Sequence, residues 1–141
     1  MSESERAASD YVVATAAVAA DTTLSADDGW VDMEVRWLVT AQTMGSQSTV
    51  VGRTVLKPGS RHDLHRHPRA EEWEYVVSGV AVKHIGREQV ALKAGDLVFV
   101  PAGVTHGLEN ASATEDVVTI WGYSGAASLE EAGYELGEVD R

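Results

Sequence analysis

A chain of 141 residues, 44% hydrophobic and 23% charged, has the composition of one globular domain and can bury roughly 68% of its unfolded surface. Its net charge of -11 opposes nucleic acid and anionic membranes, so neither is expected as a partner. With no cysteine, disulfides and thiolate chemistry are excluded, and any metal site must use histidine and carboxylate.

No stretch reaches the roughly 18 apolar residues that a membrane helix needs. The start, MSESER, is acidic where a signal peptide carries positive charge, so a cytoplasmic protein is expected. Residues 1–10 show no apolar period and read as a frayed terminus. Tyr11–Ala20 is apolar enough for a first strand or a short covering segment, and DTTLSADDG after it is a loop.

From Trp30 the pattern changes. WVDMEVRWLVT places Val31, Met33, Val35, Trp37 and Val39 on one face and Asp32, Glu34 and Arg36 on the other, as in a half-buried strand. AQTMGSQS turns, TVVGRTVL forms a second strand, and KPGS breaks it. After a histidine- and glutamate-rich stretch, HDLHRHPRAEEWEYVVSG, the segments VAVKHI and EQVALK form a hairpin about Gly86-Arg87. KAGD turns, LVFVP is a short strand, AGVTHG turns again, and DVVTIWGY is the last strong strand. Helical character is confined to SLEEAGYEL, where Ser128 and Glu131 have capping-box spacing. Seven or eight short strands with little helix predict an all-β sandwich or barrel, with residues 1–141 forming a single domain that ends in a short helical tail.

His65 and His67 stand two apart in a segment read as extended, so both imidazoles leave the same face and form half of a metal site. A third histidine, His106, follows Pro101 and Gly103 in a separate turn. Three histidines with a carboxylate suit divalent zinc, iron, copper or nickel, and the carboxylate also admits manganese.

Two spacings then carry a resemblance. Gly59, five residues, His65, Arg66, His67, four residues, Glu72, six residues and Gly79 make the first. Gly95, five residues, Pro101, Ala102, Gly103, two residues, His106, three residues and Asn110 make the second, fifteen residues after the first ends. Across 59–79 and 95–110 the chain resembles the cupin superfamily in both of its motifs.

The resemblance implies a jelly-roll β-barrel with His65, His67, Glu72 and His106 as ligands of one divalent metal. The six-residue interval to Gly79 selects Glu72 over Glu71. It implies a metal-dependent enzyme, with an iron-dependent dioxygenase of a small organic substrate placed first. A metal-dependent isomerase, lyase or decarboxylase comes next, and a non-catalytic binder of small ligands is the third reading. Manganese, nickel and zinc remain open as the ion. EEWEYV is also similar to the Glu-Trp-containing strand of oxalate decarboxylases, which carry two cupin domains in one chain. Small cupins resembling this one pair into homodimers, to which Tyr11–Ala20 could contribute.

Strand parity places other residues. Glu74 shares the inward face with Glu72, Val76 and Ser78 and is a candidate general base. Trp37 lies on an apolar face and is a candidate pocket wall. Arg61, which has the parity of His65, and Arg53 are candidates for pairing with a substrate carboxylate. His62 falls outside the motif and is expected at the surface or rim, and His84 is expected to face solvent.

Overall fold

The computed structural model describes residues 6–137. The part of the predicted frayed terminus before residue 6 lies outside them. The chain forms β1 (Trp30–Val39), α1 (Ala41–Met44), β2 (Thr49–Arg66), β3 (Glu71–Ser78), β4 (Val80–Ile85), β5 (Glu88–Lys93), β6 (Leu97–Val100), β7 (His106–Asn110), β8 (Val117–Ser124), α2 (Leu129–Ala132) and β9 (Glu135–Leu136). These strands curl into a barrel, one of the two all-β forms that their number and spacing imply, and it is the jelly roll that the motif resemblance implies. The sheet order is β5-β4-β7-β2-β8-β3-β6, with β1 and β9 also paired to β2.

β2 organises the barrel. Its first half, Thr49 to Leu56, pairs with β8, and its second half, Arg61 to His65, pairs with β7. The KPGS break predicted between them is a corner within one long strand, with Gly59 at φ 86°. The matching irregularity on β1 falls between Val31 and Met33, where Asp32 takes φ 52° and its carbonyl accepts a hydrogen bond from Ser60 Oγ at 3.0 Å. These bulges break the simple alternation expected for β1, so Trp30 and Leu38 are buried as well as Val35.

The hairpin at Gly86-Arg87 forms as predicted, with Ile85 opposite Glu88. Ser128 Oγ accepts from the Glu131 backbone N–H at 3.0 Å and caps α2, but the Glu131 carboxylate reaches back to the N–H of Ala127 rather than to that of Ser128. Residues 11–20 form no strand: they run from the end of a 3-10 turn (Ala8–Tyr11) through a second one (Thr15–Ala17) and coil, with Tyr11 and Val12 exposed. They lie along β1, where the Val18 carbonyl accepts from Arg36 Nε and Asp21 N–H bonds to the Val35 carbonyl.

The core is divided. One apolar cluster is built on Trp30, Val35, Val50, Trp121 and Tyr123, the other on Leu56, Val76, Leu92, Val100 and Leu108, and Met33 packs against both. The buried polar residues Thr54, Glu72, Glu74, Lys83 and Thr119 lie on the inner face of the same barrel. No helix among the described residues is long and apolar enough to cross a membrane.

Candidate metal centre

Each donor at the centre arrives from a different part of the barrel. His65 closes the second half of β2 and lies directly opposite His106, the first residue of β7. His67 sits in the turn after β2, and Glu72 starts the inward face of β3. One ligand atom from each of His65, His67, Glu72 and His106 lies within 4.8 Å of the others, and all four residues are buried.

Three backbone carbonyls fix the imidazoles. Each can only accept, so His65 Nδ1–H donates to Asp63 O at 2.7 Å, His67 to Gly133 O at 2.8 Å and His106 to Val104 O at 2.9 Å. A neutral ring held in that way turns the lone pair of Nε2 inward. All three Nε2 atoms, together with Glu72 Oε2, are buried without a hydrogen-bond partner. His106 Nε2 and Glu72 Oε2 approach to 2.5 Å. Two lone-pair atoms at that distance repel unless a proton or a cation lies with them. The donor set therefore fits a divalent ion, through four unsatisfied atoms that one ion would satisfy together.

The electrostatics act in the same sense. Burial holds the imidazole of His65 well below its ordinary pKa; the charges on His106 and His67 lower it further, and Glu72 opposes them. Burial also lowers His67, against Glu72 and the Gly133 hydrogen bond. For Glu72 burial pushes the carboxyl up, but His106, Lys83 and His67 outweigh it and hold the group below the usual carboxylate range. Neutral rings at His65 and His67 beside an ionised Glu72 are the protonation states that metal binding requires.

The C-terminal tail finishes the site. Gly133, at φ 83°, presents the carbonyl that holds His67, and a Cβ there would meet the Pro68 ring at 2.8 Å. Tyr134 stacks on Trp30 and His65, and Leu136 of β9 lies opposite His65. Burial raises the phenol pKa of Tyr134, and it remains a donor, bonded to the Asp28 carbonyl at 2.6 Å.

His62 is a correction to the sequence reading. It is half-buried, stacked between Trp30 at 4.1 Å and His65 at 3.7 Å, with Nε2 3.0 Å from Tyr134 Oη. The register of β2 shifts between His62 and His65. That shift reverses parity, turning His62 inward and Arg61 outward. Arg61 is accordingly half-exposed and paired with Asp63 at 2.6 Å, in an outer depression away from the ligand donors. Arg53 likewise lines an outer groove, with Glu34 and Arg36.

Trp37 packs edge-on against Trp30 and Trp121 and donates Nε1–H to Asp21, so Trp30 and Trp121 line the inner cavity while Trp37 does not. Glu74 faces inward as its parity implies, but Lys83 Nζ holds one oxygen at 2.8 Å and Thr119 Oγ1 the other at 2.9 Å. Ser78 is exposed because the register of β3 shifts after Val76. His84 is half-buried and meets Glu109 at 3.1 Å.

The cavity that His65 and Glu72 line has about 20 Å³ of room, enough for one or two small groups, between Met33, Leu108 and Trp121. Lys83 lines it too, although sequence reasoning passed over that residue. Its parity with buried Ala81 in VAVKHI was the available signal.

Comparison with known proteins adds the following. Residues 52–123 match the family model described as a cupin domain. An oxalate-binding protein of Thermotoga maritima is 32% identical over 84 residues, which span 60% of this chain and 69% of that one. Polyketide synthase CurC of Streptomyces cyaneus is 32% identical over 77 residues, spanning 55% and 50%. The crystal structure of a predicted oxalate decarboxylase from Thermotoga maritima superposes with a TM-score of 0.72 at 27% identity, covering 81% of this chain and 98% of that one. Oxalate decarboxylase of Bacillus subtilis, described with Mn(II) centres, shares the fold at 24% identity with a TM-score of 0.61, covering 68% of this chain and 26% of that one.

Proposed function

The chain belongs to the cupin family, and from that premise we propose that it is a metal-dependent enzyme of small organic acids, with decarboxylation of an oxalate-like acid as its reaction. The observation that carries the reading is the set of four buried, unpartnered donors, two of which, His65 and Glu72, line a small inner cavity. His65, His67, Glu72 and His106 would hold one divalent ion. Bound there, the ion supplies a Lewis acid that attracts carboxylate oxygens and stabilises negative charge growing on them.

The chain's own residues do the rest. The carbonyls of Asp63, Val104 and Gly133 fix the three rings before any ligand arrives, so little ordering is left to the binding step. Met33, Leu108 and Trp121 present an apolar wall that strips water from a bound carboxylate. Water exclusion favours breaking the C–C bond of an oxalate-like acid, because the poorly solvated carboxylate leaves as neutral carbon dioxide and its electron pair passes to the remaining carbon. The remaining carbon takes a proton, giving formate with no net oxidation.

The relatives support this order of readings. Oxalate is named in the Thermotoga relative, and Mn(II) centres are described for the Bacillus enzyme, which favours manganese over the iron expected from sequence. Iron-dependent oxygenation is the second reading, since three imidazoles and a carboxylate also suit iron.

One experiment separates the readings: protein loaded with manganese or iron is given oxalate while formate, carbon dioxide and dissolved oxygen are followed. Formate without net oxygen uptake supports the decarboxylase, and stoichiometric oxygen uptake supports the dioxygenase. Saturable oxalate binding without turnover supports the non-catalytic binder. Neither binding nor turnover of oxalate refutes the small-acid reading.

We also propose a homodimer. Leu97 and Phe99 of the edge strand β6 and Tyr75 and Val77 of β3 form an exposed apolar face in addition to Tyr11 and Val12. A monomer mass by light scattering at micromolar concentration would reject it.

A further inference from the structure

Lys83 is the one buried lysine among the described residues, with 2% of its side chain exposed. It stands on the inward face of β4 next to Ala81 and lines the cavity that His65 and Glu72 also line. An ammonium group has three N–H donors. One goes to Glu74 Oε1 at 2.8 Å, and Thr119 Oγ1 secures the other oxygen of that carboxylate at 2.9 Å. The remaining two donors have no partner among the described residues. Burial alone would lower the Lys83 pKa, and the ion pair with Glu74 at 2.8 Å opposes it.

A buried cation with two unused donors is costly unless something in the cavity accepts from them. Formal charges indicate what that is. With a divalent ion held by the four ligands, Glu72 and Glu74 offset its two charges, and the charge on Lys83 remains. An anion neutralises that remainder, whereas a neutral ligand does not.

We propose that Lys83 is the specificity residue of this cavity, donating its two free N–H groups to a carboxylate of the ligand, while Glu74 and Thr119 act as positioning residues that aim it. The site thereby selects small carboxylates over neutral ligands of the same size. The inference rests on the metal-dependent small-acid reading, and it assigns Glu74 to holding Lys83 rather than to free proton transfer.

The test is calorimetric titration of manganese-loaded protein with oxalate, glycolate and the neutral analogue glycolamide, for wild type and Lys83→Met. Carboxylate affinity is expected to fall by roughly tenfold to a hundredfold in the variant. Manganese stoichiometry and any glycolamide binding should stay unchanged, and Lys83→Arg should recover part of the loss. If Lys83→Met is too unstable to load, Glu74→Gln/Lys83→Met removes the pair together and is read in the same way. Carboxylate affinity equal to wild type in a loaded variant overturns the inference and leaves Lys83 as a structural ion pair solvated by water. Wild type that loads manganese yet binds neither carboxylate overturns the small-acid reading, and the inference with it.

Discussion

Gly52 on β2 lies directly opposite Trp121 on β8, and the indole covers the space where a side chain would be. A Cβ at position 52 would come within 2.1 Å of Trp121 Cζ2. Carbon atoms rest at about 3.5–4.0 Å, so the ring would have to retreat by more than about 1 Å. It has little freedom to do so. Trp121 is buried, lies 5.2 Å from Trp37 and 5.3 Å from Tyr123 between ring centroids, and donates Nε1–H to Thr54 Oγ1 at 2.7 Å.

Gly52→Ala should therefore overpack the core, at about 1–3 kcal/mol, and strain or break a buried hydrogen bond, at about 1–3 kcal/mol more. The sum is a loss of about 2–6 kcal/mol, or about 7–20 °C in Tm for a chain of this size. Because Trp121 also lines the inner cavity, oxalate affinity should fall with stability. Urea unfolding of the two proteins, with titration of the loaded forms, measures both effects. Gly52→Ala within about 0.5 kcal/mol of wild type would refute the packing argument.

Other outcomes follow from the same contacts. Metal-free protein should lose stability as pH falls below 6.5, the ordinary histidine value: burial lowers His62, His65 and His67 in the fold, so the unfolded chain binds protons that the folded one refuses. The slope is up to about 1.4 kcal/mol per pH unit for each histidine; Glu72, also lowered in the fold, adds a loss of the same sign below 4.5. A urea midpoint at about pH 5.5 equal to or above that at about pH 7.5 would contradict this. Lys83→Met should cost about 3–5 kcal/mol by leaving the Glu74 carboxylate buried with Thr119 alone, and Glu74→Gln/Lys83→Met should recover more than half of it. Equal unfolding free energies for the single and double variants would count against an ion pair of that strength. Manganese at about a hundred times its Kd should stabilise the fold by about 2.7 kcal/mol, and thermal melting unchanged by saturating metal would speak against preferential binding to the fold.

The strand pattern was legible in the sequence wherever one face is buried and the register is regular, as in β3 to Val76, the β4–β5 hairpin and β8. It misled at the bulges. Parity put Arg61 inside with His65, yet the register shift between His62 and His65 turns Arg61 out and His62 in. Parity also put Trp37 on the cavity wall, where long-range packing sets Trp30 and Trp121 instead. Motif spacing singled out His65, His67, Glu72 and His106, and the fold brings one ligand atom of each within 4.8 Å of the others. What closes the centre comes from remote parts of the chain: the Gly133 carbonyl on His67, Tyr134 over His65 and the pairing of β9 leave no local signature. Lys83 was readable by parity with Ala81, but its role depends on Glu74 from another strand and on Thr119 from a third.

The central claim is that four side chains form one metal site, and elemental analysis tests it most directly. Wild type, His65→Ala and His106→Ala are incubated with manganese or iron, freed of excess ion and analysed side by side. The account predicts close to one ion per chain in wild type and a loss of roughly tenfold or more in occupancy or affinity in either variant. Wild type that retains no divalent ion, or variants that retain as much as wild type, would contradict it.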